Sequence, residues 1–137
     1  AGVLPTPALA HAAEKLGCPA IMVTGSHIPF DRNGLKFYRA EGEISKQDEQ
    51  RILAFPVAQP LAEPQLAPLP PVDASPLALY AARYRQAFGA GALQGMRIGV
   101  YEHSSVARDL LHELLRALGA ETFGLARSDS FPFWSRA

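Results

Sequence analysis

Seven prolines, Pro56, Pro60, Pro64, Pro68, Pro70, Pro71 and Pro76, fall in one short central stretch of the chain. Each fixes its own φ and removes a backbone donor, so neither a regular helix nor a central strand can run through the segment. The chain must therefore be built as two blocks joined by an extended connector. A proline-rich segment can also serve as a ligand for an aromatic-lined groove, but this one has no flanking basic residues and is read as a connector.

In the block before the connector, Thr6-Pro7 reads as an N-cap followed by a first-turn proline. The alanine-rich run to Leu16 then closes at Gly17. Ala20–Thr24 is a short apolar run with β-branched residues between Pro19 and Gly25, the pattern of a strand buried on both faces. Residues 25–34 have loop composition, and Leu35–Tyr38 resumes a strand. Ser45 and Asp48 form a capping box that opens a helix containing Ile52, Leu53 and Phe55 and stopping before Pro56.

After the connector, Ser75-Pro76 repeats the cap-plus-proline signal. Leu77, Tyr80, Tyr84 and Phe88 follow at helical spacing as candidate core before Gly89. Met96–Tyr101 reads as a strand, and Ser104 or Ser105 as a cap. Val106, Leu110, Leu111, Leu114, Leu115 and Leu118 form the apolar stripe of a helix ending at Gly119, and Glu121–Ala126 reads as the next strand. Strand, helix and strand of these lengths make one βαβ unit with parallel strands. The fold class is α/β: a partial mixed sheet with flanking helices, then the proline-rich connector, then the βαβ unit.

Thirteen basic and thirteen acidic residues leave no net field to draw nucleic acid or an anionic membrane. No apolar run approaches the ~20 residues that span a bilayer, so the expectation is a cytoplasmic chain with neither nucleic-acid nor membrane partners. A lone cysteine, Cys18, excludes an intrachain disulfide and reads as a buried small apolar residue. His11 and His112 stand alone on their helices, without a second ligand at a metal-binding offset. Glu113/Arg116 and Arg83/Gln86 read as solvated pairs along a helix face. His103, Ser104 and Ser105 sit at a strand-to-helix turn, where an anion site competes with ordinary capping and capping is preferred.

The stretch that carries chemistry is Val23-Thr24-Gly25-Ser26-His27-Ile28-Pro29-Phe30-Asp31-Arg32-Asn33-Gly34-Leu35-Lys36. A serine just beyond a strand end holds a hydroxyl on a rigid support at the rim of a sheet, where open α/β folds bind ligands. From the residues alone Ser26 is a candidate nucleophile, with His27, Arg32 and Lys36 nearby to offset phosphate charge.

Thr24, Gly25, Ser26, His27, Pro29, Asn33, Gly34 and Lys36 resemble, in order and spacing, the phosphoserine loop of the α-D-phosphohexomutases, the bacterial phosphomannomutase/phosphoglucomutase family. Pro5–Ala10 is similar to the segment before that loop, and Gly99–Ser105 to the start of the family's second domain. The resemblance implies an isomerase that interconverts hexose 6-phosphate and hexose 1-phosphate through a phosphoserine and a bisphosphorylated sugar. It implies Ser26 as phosphoryl carrier, Lys36 for charge neutralisation or proton transfer, and His27 shaping the loop. It further implies Mg2+ held partly by the Ser26 phosphate, hexose 1,6-bisphosphate as activator, and a phosphosugar as substrate.

The implied organisation is a partial first domain at 1–55 with the phosphoserine loop, the connector at 56–76, a connecting helix at 77–91, and a truncated start of the second domain at 92–137. Ile28 stands where the family has asparagine, no Asp-Gly-Asp-Gly-Asp-Arg metal loop is present, and the tail from Ser128 leaves the family pattern. Gly42–Ser45 reads as a turn and cap rather than a sugar-recognition loop. A truncated or frame-shifted gene product is one expectation, and an isolated chain without turnover another. The alternatives are a non-catalytic remnant of the family that binds phosphosugar or protein, and an unrelated α/β binding module. Exposed sheet edges and apolar faces imply self-association or marginal stability.

Overall fold

The computed structural model describes residues 1–25, 28–29, 31–56 and 67–129 of the 137-residue chain. Four helices and two small sheets alternate along it: α1 (Thr6–Leu16), β1 (Ala20–Thr24), β2 (Gly34–Arg39), β3 (Gly42–Glu43), α2 (Lys46–Ala54), α3 (Ser75–Phe88), β4 (Arg97–Tyr101), α4 (Arg108–Ala117) and β5 (Glu121–Leu125). Residues 67–74 carry neither helix nor strand, and Pro60 and Pro64 lie outside the described residues.

The helix boundaries follow local chemistry. Gly17 adopts φ 61°, and the Cys18 N–H donates to Ala13 O at 3.1 Å, which closes the end of α1 on a left-handed residue. Ser45 and Asp48 make both halves of the capping box: Ser45 Oγ accepts from the Asp48 N–H at 3.2 Å, and the Asp48 carboxylate accepts from the Ser45 N–H at 3.0 Å.

The other expected caps are corrected. Extended Pro5 is the N-cap of α1 and Thr6 its first helical residue. Ser75 also lies inside its helix, because the Asp73 carboxylate takes both its N–H and its hydroxyl at 2.9 Å. Neither Ser104 nor Ser105 caps α4, whose N-cap is Ala107; Ser105 Oγ instead accepts from the Ala107 N–H at 3.2 Å.

The first sheet is not mixed. Its strands run in the order β1-β2-β3, and both pairings are antiparallel. Nor is β1 buried on both faces. Ala20, Met22 and Thr24 share a face with Gly34, Lys36 and Tyr38, toward α1, whereas Ile21, Val23 and Leu35 remain 57%, 58% and 59% exposed on the other. The expectation of an exposed apolar face is met. The second sheet pairs β4 and β5 in parallel around α4, as a βαβ unit requires, with Arg97 opposite Glu121 and Tyr101 opposite Leu125.

The two halves meet through α3, which packs against both α1 and α4. Ala8, Ala12 and Ala13 are buried on α1. Ala81 is buried with Leu110 and Leu114, and Leu77, Tyr80 and Tyr84 pack against that cluster. Tyr80 and Tyr84 meet edge to face and share a hydroxyl hydrogen bond of 2.8 Å; burial, then that bond, pushes the Tyr80 phenol up to about 12. Phe88 is not core: it is 61% exposed and stacks only on Tyr84 at the end of the helix. Leu110 and Leu114 of α4 and its C-cap Leu118 are buried, whereas Leu111 of α4 and the preceding Val106 are exposed, and Cys18 is half-buried.

The turn between α4 and β5 leaves no room for a side chain. Gly119 has φ 100°, and a Cβ there would stand 3.1 Å from Gly91 Cα and 3.2 Å from the Gln94 backbone N. Gly119→Ala is expected to destabilise the chain by at least about 1–2 kcal/mol, because strain of the left-handed region adds to a backbone clash. An unchanged urea midpoint would show that the turn relaxes freely.

Candidate active site

The hairpin β1–β2 builds the site from its register. Thr24 lies opposite Gly34, so residues 25–33 leave and rejoin the sheet at one point, the exposed end of the hairpin. Among the described residues, two local backbone hydrogen bonds form turns within the loop, from the Ile28 N–H to Gly25 O at 3.3 Å and from the Arg32 N–H to Pro29 O at 3.0 Å. The limbs approach closely: a Cβ on Gly25 would stand 3.1 Å from Arg32 O, and one on Gly34 3.3 Å from Thr24 O. Ser26 and His27, the first two expected site residues, lie outside the described residues.

Lys36 is described. It sits on β2 opposite Met22, on the face shared by Gly34 and Thr24, and is half-buried. Its position three residues beyond the loop, with no ion pair among the described residues, suits a stem packed on the sheet and an ammonium group reaching outward. Arg32, Asn33 and Asp31 are exposed on the returning limb of the loop.

The solitary histidines are held by partners. Buried His11 lies with Nδ1 3.4 Å from Arg83 of α3 and 3.8 Å from Glu14. His112 has Nδ1 2.8 Å from Thr122 Oγ1 and Nε2 3.5 Å from the Glu102 carboxylate. At the turn after β4, His103 has φ 37°, and its Nδ1 lies 2.9 Å from Ser104 Oγ. These turn groups are occupied locally, which fits a structural turn better than an anion cradle. Among the described residues, no group of three or more His, Cys, Asp or Glu side chains is placed to hold a metal ion.

A charge network at the rim of the second sheet was not legible from spacing. Glu102, 5% exposed, accepts from Arg127 at 2.6 Å, and Arg127 also donates to Asp109 at 2.8 Å. Arg108 reaches the other way, donating to His103 O at 2.9 Å and Ser128 O at 2.8 Å and pairing with Asp129. Gly124 makes the space: a Cβ there would fall 2.1 Å from Glu102 Oε2. A charged residue directly after β4 and a glycine within β5 were the sequence signals. Glu113 pairs with Arg85 of α3 instead of its helix neighbour Arg116. The groove along α4 and β5, about 710 Å³, is lined by Glu102, Asp109, His112, Arg116, Phe123 and Arg127, none from the hairpin.

The family described as phosphoglucomutase/phosphomannomutase, alpha/beta/alpha domain I, matches residues 1–56. Over 130 residues, 95% of this chain, the sequence is 52% identical to a phosphomannomutase of Salmonella muenchen. It is 46% identical over 136 residues to a phosphomannomutase of Sinorhizobium fredii. The chain belongs to the phosphohexomutase family. It spans 27% and 28% of the length of those two relatives. A phosphoglucosamine mutase of Wolinella succinogenes is 30% identical over 89% of the chain. The family match covers the whole β1–β2 hairpin, and similarity to both phosphomannomutases continues through the βαβ unit. A phosphohexomutase segment thus accounts for both blocks on either side of the prolines.

The charge network predicts an acid response. The hydrogen bond from Arg127 holds the Asp109 carboxyl below its ordinary 3.8, and bonds from Ser75 and Ser45 do the same for Asp73 and Asp48. Carboxylates depressed on folding contribute stability that is complete above their unfolded value and is lost as pH falls through the folded one. The thermal midpoint should therefore drop as pH is lowered below about 4, and Asp109→Asn should flatten that drop. An identical pH dependence in variant and parent would mean that the Asp109–Arg127 pair contributes nothing.

Proposed function

We propose that the chain carries the phosphoserine segment of a phosphomannomutase-type isomerase, with Ser26 as the phosphoryl carrier. The observation that carries this reading is a phosphoserine-loop pattern that spans one hairpin, Thr24 to Lys36, in a chain 52% identical to a phosphomannomutase. The substrate class is a hexose phosphate, with mannose favoured by the names of the two relatives that cover 95% of the chain.

In the proposed step, a sugar hydroxyl attacks the phosphorus on Ser26. The bond from phosphorus to the serine oxygen breaks, a bond to the sugar oxygen forms, the sugar hydroxyl gives its proton to a base, and the departing serine oxygen takes up a proton to become a hydroxyl. The bisphosphorylated sugar then returns its other phosphoryl group to Ser26. Such transfers ask mainly for alignment and charge neutralisation. Lys36, projecting from a rigid strand beside the loop, supplies a cation, and His27 shapes the loop. Mg2+ would neutralise charge through the Ser26 phosphate; the described residues provide no complete site for it. Hexose 1,6-bisphosphate serves as phosphoryl donor for priming. A cytoplasmic setting fits the lone cysteine, and no described helix is long and apolar enough to cross a membrane.

Exposure of the 137-residue chain to glucose 1,6-bisphosphate and magnesium, followed by intact mass, tests this. One added phosphoryl group is expected, absent from Ser26→Ala. Lys36→Met should slow uptake by at least about tenfold while shifting stability by less than ~0.5 kcal/mol. A folded parent that never gains mass would favour a non-catalytic remnant that binds phosphosugar or protein.

The apolar face of Ile21, Val23 and Leu35, on a sheet in which β1 is an edge strand among the described residues, supports self-association. Sedimentation velocity should show concentration-dependent association that Val23→Lys weakens; a strict monomer at all concentrations would remove the idea.

A further inference from the structure

Among the described residues β1 and β3 are the edge strands of the first sheet, and β4 and β5 those of the second. Edge strands are kept from pairing with other chains by shortness, charge or proline. The strand β3 is two residues long and includes Glu43, β4 begins with Arg97, and β5 begins with Glu121. By contrast β1, Ala20-Ile21-Met22-Val23-Thr24, has five residues with neither a charge nor a proline. The face beside it is apolar. Ile21, Val23 and Leu35 are each more than half exposed, and a groove of about 380 Å³ at the base of the hairpin is lined by Pro19, Ile21, Phe37, Ile44 and Ile52.

An unpaired edge takes backbone hydrogen bonds from an extended segment, and an apolar face beside it takes apolar side chains from alternate positions of that segment. The β1 strand of a second copy supplies both. Antiparallel pairing about a two-fold axis perpendicular to the sheet keeps the outer faces of the two copies on one side. Only the register centred on Met22 pairs all five residues: Met22 with Met22 of the second copy, Ile21 with its Val23, and Ala20 with its Thr24.

We propose that β1 is a self-complementary interface at which two copies join their first sheets edge to edge, in the strand order β3-β2-β1-β1-β2-β3. The proposal rests on the self-association read from the same apolar face and states where it occurs. Val23 of the second copy then lies beside Ile21 at the rim of the groove, and the exposed Ile21 and Val23 side chains of both strands pack across the junction.

The test uses the 137-residue chain with Cys18→Ser, so that an introduced cysteine is the only thiol. Ile21→Cys, Met22→Cys and Val23→Cys are each made on that background and oxidised with glutathione disulfide. Met22→Cys is expected to give a disulfide-linked dimer by itself. Mixed Ile21→Cys and Val23→Cys chains should cross-link at least about fivefold faster than either chain alone, because directly opposed residues lie within disulfide reach and diagonal ones beyond it. The exposed pair at 21 and 23 keeps the test decisive if Met22→Cys, at a half-buried position, does not fold. Sedimentation velocity of the Cys18→Ser chain reports whether copies associate at all. Association without this dependence on position would overturn the β1 pairing and leave self-association to another face. A monomer at every concentration that forms no cross-links would overturn both.

Discussion

Helix α3 is the part on which the other elements depend, because it alone among the described helices packs against both α1 and α4. The contact on one side is made where α1 buries alanines and on the other where Ala81 meets Leu110 and Leu114. Small side chains let helix backbones approach closely, and the two leucines supply apolar area worth roughly 1.5–3 kcal/mol each when removed from water. Among the described residues no large side chain is fully buried, and the cluster of Ala81, Leu110 and Leu114 in this helix layer forms a hydrophobic core. Each small sheet is carried on a helix of that layer, β1 and β2 on α1, β4 and β5 on α4.

That arrangement explains why the candidate site can be rigid at its base. A two-stranded hairpin is marginal alone. Here the face bearing Met22, Lys36 and Tyr38 rests toward α1, with Tyr38 buried, and its register is fixed because slipping by one residue would turn the buried face outward. The loop then begins and ends on a supported pair, Thr24 and Gly34. At the other end of the molecule the rim of the parallel sheet is held electrostatically. Arg127 grips Glu102 and Asp109, Arg108 grips the backbone beyond β5, and Gly124 leaves the space that Glu102 fills. A buried carboxylate is tolerable there because an arginine hydrogen bond compensates its lost hydration.

Much of the fold was legible because it is written in local chemistry. The strands at Ala20–Thr24 and Arg97–Tyr101, the capping box at Ser45/Asp48 and the terminators Gly17 and Gly89 each depend on neighbours within about four residues. The caps assigned to Thr6 and Ser75 failed for an equally local reason: Pro5 holds the cap position of α1, and Asp73 binds the N–H and hydroxyl of Ser75, which leaves Ala74 as the N-cap of α3. Burial was less legible. The apolar composition of β1 predicted two covered faces, whereas Val23 is 58% exposed; composition records what a strand is able to bury, and coverage depends on what lies across from it.

The sequence by itself determined where the chain can and cannot be regular, and it set the pattern from Thr24 to Lys36 on which the family membership and the candidate chemistry rest. Those are properties of residue identity and short-range spacing. Tertiary structure alone decided that Glu102, Asp109 and Arg127 share one network and that His11 and His112 have partners. Each of these contacts depends on backbone turns and side-chain directions that bring separate segments within a few ångströms, and no periodicity along the chain encodes such a distance.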